Sequence, residues 1–234
     1  MGFLFRRFAS FLLSATFLVY LFRSLAKPGP AEVAFSSDAS VRINHPVNWK
    51  DVPLRYPVTS MIPLPTAAPV PIPRIQHEFG IETEADREQR NVRLESVKEL
   101  FQHSWEGYKK HAWLQDEVAP LTGGYKNEFG GRGATLVDAL DTLLIMGLHE
   151  EFELSLSALH KIDFSTTDVP TMNVFETTIR YLGGLLSAYD LSKGKHDILL
   201  EKAVVLGDML YVAFDTPNRL PITRWDWAKY FNLL

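Results

Sequence analysis

Ten of the fourteen prolines fall between residues 28 and 75, and this clustering decides where a packed domain can lie. Each proline fixes φ and removes a backbone donor, so "PLPTAAPVPIPR" (63–74) can join neither a helix nor a strand ladder. The stretch reads as an extended spacer of polyproline II character. From about Glu82 the grammar changes to apolar residues at helical spacing. The expected organisation is a membrane or signal segment over 1–27, a Pro-rich stalk over 28–81 and a helical domain over 82–234.

The segment before the prolines carries Arg6 and Arg7, then the uncharged run "FASFLLSATFLVYLF" (8–22), then Arg23 and Lys27, with no acidic residue before Glu32. Fifteen residues are short for a spanning helix, which needs about 20. They suit the apolar core of a signal peptide, and "SLA" (24–26) ends in small residues as cleavage sites do. Snorkelling Arg23 and Lys27 extend the same run into a signal anchor, and a buried helix is the third reading. Both targeting readings send the remainder into the secretory lumen. The net charge of −4 and the lack of a basic block after Lys27 argue against a nucleic-acid partner. With no cysteine, disulfides and thiolate metal sites are excluded.

Five helices are expected in the domain. The first follows "ETEADREQRNVRLESVKELFQHSWEGYKKHAW", with an apolar stripe at Val97, Leu100, Phe101, Trp105, Tyr108 and Ala112. The second, "ATLVDALDTLLIMGL", is built on Leu136, Val137, Leu140, Leu143 and Leu144 and closes at Gly147. The third, "EEFELSLSALHKI", carries acids in its first turn. The fourth is "NVFETTIRYLGGLLSAYDLS" (173–192) and the fifth "DILLEKAVVLGDMLYVAF" (197–214). No run alternates convincingly as a strand, so the fold class is all-α, built from helix pairs. Helices two and four are apolar around much of their circumference and need burial on more than one side. The domain is therefore expected to be incomplete as written.

The fourth helix carries the candidate chemistry. Phe175, Ile179, Leu182, Leu186 and Tyr189 follow helical spacing and read as its core stripe. Beside them runs a second row, Glu176, Arg180, Gly183 and Ser187, with Gly184 adjacent. A Glu–Arg pair four residues apart is ordinarily a surface ion pair. Two glycines, each costing about 1 kcal/mol of helix propensity, suggest instead that another backbone or a ligand comes close. Burial disfavours a charged carboxylate and a neighbouring arginine favours it, the balance by which general acids are tuned. Asp138 and Asp141 are read as polar helix-face positions making caps or ion pairs. His103, His111, His149, His160 and His196 are scattered, and no metal-ligand spacing is present.

"SWEGYKKHAW" (104–113), "FGGRGATLVDALDTLLIMGL" (129–148), "NVFETTIRYLGGLLSAYDLS" (173–192) and "AFDTPNRLP" (213–221) together resemble the class I α-1,2-mannosidases, glycoside hydrolase family 47, of fungal type. The resemblance covers about residues 93–227. It implies an (α/α)7 barrel, of which this chain holds the N-terminal part, and calcium-dependent, inverting removal of α-1,2-linked mannose from N-glycans. It implies ER or Golgi residence with a lumenal domain, or secretion, and high-mannose glycoproteins as partners. Matched residue by residue, Glu176 takes the catalytic acid position and Arg180 the substrate-binding arginine. The base, the remaining carboxylates and the calcium ligand are expected beyond Leu234, so no metal ligand is assigned here and the chain alone is expected to be inactive. Arg132 stands where many members carry Trp or Leu. Two other readings stay open: a lectin-like relative that recognises mannose-trimmed glycoproteins for disposal, and a non-enzymatic, membrane-anchored helical protein.

Overall fold

A computed structural model describes residues 46–232. The expected targeting segment, 1–27, and the first part of the expected stalk lie outside the described residues. Among the described residues no helix is long and apolar enough to cross a membrane.

The domain is mostly helical. Helix α1, Glu84–Ala112, starts at Thr83, whose hydroxyl accepts the Asp86 N–H. Two short strands, β1 (Glu117–Ala119) and β2 (Gly124–Lys126), pair antiparallel. The second expected helix is two: α2, Ala134–Asp138, and α3, Leu140–Ile145, separated by a bend at Ala139. Helix α4 is His149–Leu159, with Glu150 and Glu151 in its first turn. Strand β3, Thr171–Asn173, leads into α5, Val174–Glu176, which continues through a π-helical stretch, Thr177–Leu182, into α6, Gly183–Leu191. Helix α7 is Asp197–Val212. Strand β4, Arg224–Asp226, pairs antiparallel with β3 and is followed by α8, Trp227–Asn232. The two small ladders correct the expectation that no strand forms. At three residues a strand is too short to leave an alternating pattern in sequence.

Gly147, the expected stop of the second helix, and Gly194 sit at positive φ after α3 and α6. The core gathers Leu136, Val137, Leu140 and Leu143 from α2 and α3, Phe152 and Leu159 from α4, and Leu199, Leu206 and Met209 from α7. Helix α6 lies between α3 and α7.

The stripe expected to be the core of the fourth helix is not the buried one. Phe175, Ile179 and Leu186 are 63%, 47% and 41% exposed, whereas Val174, Thr177, Tyr181, Leu185 and Ala188 are buried. Both sets obey helical spacing, and a helix apolar on two sides gives no sign of which side faces the core. Helix α1 shows a related departure. Trp105, Tyr108 and Ala112 are buried, but Val97 and Leu100 are exposed because the first half of the helix has no packed neighbour among the described residues.

Residues 46–57, inside the expected stalk, lie on the helices. Trp49 is buried against Trp225 and Trp227, with ring centroids 5.4 and 6.3 Å apart, and its Nε1 donates to Ser165 O at 2.6 Å.

Candidate functional site

Glu176 occupies the first turn of the helix that β3 launches. The β3–β4 pairing fixes where that helix begins, since Val174 N donates to Thr223 O at 3.1 Å. Asn173 caps the turn through Oδ1, which accepts the Glu176 N–H at 3.3 Å. A carboxylate three residues past a cap lies at the positive end of the helix dipole.

One turn later, Arg180 Nε donates to Glu176 Oε2 at 2.8 Å, and its Nη1 donates to Asp138 Oδ2 on α2 at 3.2 Å. The guanidinium carbon lies 4.9 Å from the Phe129 ring centroid. The arginine thus joins carboxylates from two helices with an aromatic face against it. The Glu176, Arg180 and Asp138 side chains keep 25%, 36% and 45% of their exposure, so a ligand can reach them. Partial burial pulls the Arg180 pKa down, but the Glu176 hydrogen bond, supported by Asp138, outweighs this and holds it above the ordinary value.

The row continues in the same manner. Ser187 Oγ donates to Asp141 Oδ2 at 2.7 Å. The aspartates read as helix-face polar positions are therefore partners of the Glu–Arg–Ser row across a helix crossing. That crossing is close because of one glycine. A Cβ on Gly184 would meet Val137 O at 2.6 Å and Asp138 Cα at 3.4 Å, while one on Gly183 would find only Thr178 O at 3.7 Å. Of the two glycines singled out in the sequence, Gly184 permits the backbone approach and Gly183 does not take part in it.

Residues 100–232 match Glycosyl hydrolase family 47. The chain belongs to this family. A probable mannosyl-oligosaccharide alpha-1,2-mannosidase 1B of Aspergillus clavatus is 47% identical to this family 47 chain over 139 residues, covering 55% of it and 27% of the relative. The mannosyl-oligosaccharide alpha-1,2-mannosidase of Penicillium citrinum is 39% identical over 195 residues, covering 77% of this chain and 36% of its own. The solved alpha-1,2-mannosidase from Trichoderma reesei matches with a TM-score of 0.55 at 38% identity, over 57% of this chain and 30% of that one. This family 47 chain therefore spans between 27% and 36% of the length of these relatives.

One residue beneath the site carried no reading in the sequence. Asp116 is buried, and its carboxylate accepts from the backbone N–H of Phe129, Gly131, Arg132 and Ala134 at 2.8–3.2 Å and from the Tyr181 hydroxyl at 2.9 Å. It folds the glycine loop around itself, fixes the start of α2, and sets Phe129 under Arg180. Gly131 at φ +69° allows the loop to turn its N–H groups inward. The only sequence signal was a lone aspartate shortly before a glycine-rich run.

Arg132, which stands where many members carry Trp or Leu, is buried. Its guanidinium lies over the Tyr181 and Phe164 rings, 4.9 and 5.8 Å from their centroids, and Nε and Nη1 have no hydrogen-bond partner. Desolvation lowers its pKa and raises that of Tyr181.

The family resemblance implies calcium. Among the described residues no three His, Asp or Glu side chains gather as a metal site. Glu176 and Asp138 share Arg180, whose positive charge occupies the position between them. These residues do not fit the ion, and no chemistry is assigned through it here.

Proposed function

We propose that this chain provides the acid-bearing part of an α-1,2-mannosidase that trims high-mannose N-glycans, with Glu176 as the general acid and Arg180 as a substrate-binding residue that also orients it. The observation carrying this reading is the Arg180 bridge: one solvent-reachable guanidinium hydrogen-bonded to Glu176 and Asp138 where two helices cross at Gly184. An inverting glycosidase needs two carboxyl groups about 6.5–9.5 Å apart, one to protonate the leaving oxygen and one to activate water on the opposite face. Glu176 suits the first role. It is fixed at a capped helix start and reached by solvent. The arginine and the helix start favour its ionised form, so the acid role requires Arg180 to turn its hydrogen bonds to sugar hydroxyls when substrate binds, leaving the carboxyl free to carry a proton. The second carboxyl group is assigned to the part of an (α/α)7 barrel that corresponds to the relatives' length outside the match. The exposed Phe175, Ile179 and Leu186 fit a helix face that such a barrel would cover.

The apolar run at 8–22 and the prolines after it favour an ER or Golgi location, with the helical domain in the lumen. Activity is tested in a chimera joining this chain to the remaining length of the Penicillium citrinum relative. The chimera should release mannose from a high-mannose N-glycan and lose the activity to a calcium chelator. The chain alone should release none. Glu176→Gln should lower turnover by about 10²–10⁴-fold, the range of a lost general acid, while glycan binding persists. Unchanged turnover removes Glu176 from the acid role, and glycan binding without release in the unsubstituted chimera favours a lectin-like relative.

A further inference from the structure

Residues 46–57, "PVNWKDVPLRYP", lie on the helical domain as a ligand lies in a groove. Trp49 fills an aromatic pocket on Trp225, and Val47 N donates to Ser165 Oγ at 2.9 Å. At the other end, Arg55 N and Tyr56 N donate to the two Asp215 carboxylate oxygens at 2.7 and 2.8 Å. The Tyr230 hydroxyl donates to the same carboxylate. The Arg219 guanidinium returns hydrogen bonds to Tyr56 O and Pro57 O. Arg55 lies over the Tyr230 ring, 4.7 Å from its centroid. Trp49–Asp51 form a 3-10 turn with extended backbone on either side. A buried aromatic anchor with backbone hydrogen bonds at both ends is how domains hold short peptide segments.

From Arg55 to Val97 every residue is exposed. The hydrogen bonds that hold the segment reach residues 165–230, far along the chain.

We propose that Ser165, Asp215, Arg219, Trp225 and Tyr230 form a peptide-binding groove for a segment anchored by a tryptophan that opens a short 3-10 turn, filled here in cis. The groove holds residues 46–57 after the covalent link is cut. Cleavage within 58–82 therefore nicks the protein without separating its N-terminal part from the helices. Release requires a cut before Pro46.

The test places a site-specific protease sequence over residues 64–70 of the full chain, kept in nonionic detergent because of the apolar run at 8–22. After cleavage, the two fragments should co-elute from a gel-filtration column in native buffer and separate in denaturant. Excess synthetic "PVNWKDVPLRYP" should displace the N-terminal fragment, and the same peptide with Trp49→Ala should not. Separation in native buffer without competitor overturns the proposal, as does a site that resists the protease. Displacement by both peptides, or by neither, overturns the groove assignment. Arg219→Asn removes the two carbonyl contacts at an exposed position with φ +61°, where Asn is better tolerated than Arg. In that variant the nicked fragments should separate faster on dilution than in the unsubstituted protein, and an equal rate counts against the groove.

Discussion

Gly183 and Gly184 adjoin in one helix, yet replacing each by alanine should change stability in opposite directions. Both gain about 1 kcal/mol of helix propensity. At Gly183 the new methyl group would lie 3.7 Å from Thr178 O, an ordinary contact, so the gain is kept and Gly183→Ala should stabilise by about 0.5–1 kcal/mol. At Gly184 it would lie 2.6 Å from Val137 O and 3.2 Å from Val137 C. Those atoms are backbone, so the helices must part by more than half an ångström, roughly, at an overpacking cost of about 1–3 kcal/mol that offsets the propensity gain. Lost core contact around Leu136 and Leu140 adds to it. Gly184→Ala should therefore destabilise by about 1–2 kcal/mol. For a domain of this size 1 kcal/mol moves Tm by about 2–4 °C, which separates the two variants by about 3–12 °C. Thermal unfolding followed by far-UV circular dichroism measures both. Shifts of the same sign would show that the crossing is not set by Gly184.

Replacing buried Arg132 by methionine keeps a flexible unbranched stem but shortens it. It removes two unpaired donors, each costing about 1–3 kcal/mol, and loses the Nη2 contact to Met172 Sδ and a cation–π contact worth about 1 kcal/mol. Arg132→Met should raise stability by about 1–2 kcal/mol in urea unfolding, and a loss of that size would mean the guanidinium is paired. The Asp215 carboxyl provides a pH test. Burial raises its pKa, but the Tyr230 hydroxyl and then the Arg55 and Tyr56 N–H groups outweigh that and hold it below the ordinary carboxylate value. A depressed folded pKa contributes stability above the unfolded value of about 3.9 and loses it as pH falls through the folded value. The fluorescence difference between the protein and its Trp49→Phe variant should therefore report a docked segment at neutral pH and a loosening one below about pH 4. A loosening midpoint above pH 5 would implicate another group.

The spans of the helices were legible because caps and breakers are local. Gly147 and Gly194 mark their ends, and Leu136, Val137, Leu140 and Leu143 are buried as their spacing predicts. Which face of the fourth helix turns inward was not legible, since Phe175–Ile179 and Thr177–Tyr181 are equally periodic. Glu176 and Arg180 stood out through their four-residue spacing, and the structure joins them. Their bridge to Asp138 depends on a crossing between distant segments, which periodicity does not encode. Asp116 was silent for the same reason: its partners lie 13 to 65 residues away. Trp49 was hidden by its surroundings, because a proline-rich context argues for solvent whatever a single aromatic residue argues.

The distance along the chain between Trp49 and its pocket also bears on synthesis. Trp49 leaves the ribosome early, whereas Asp215, Trp225 and Tyr230 are translated more than 160 residues later. At about 5–20 residues per second the tryptophan waits on the order of ten seconds or more with its indole uncovered. A nascent chain of this design offers a chaperone an aromatic handle for the whole interval, and withdraws it only when its own pocket has been made.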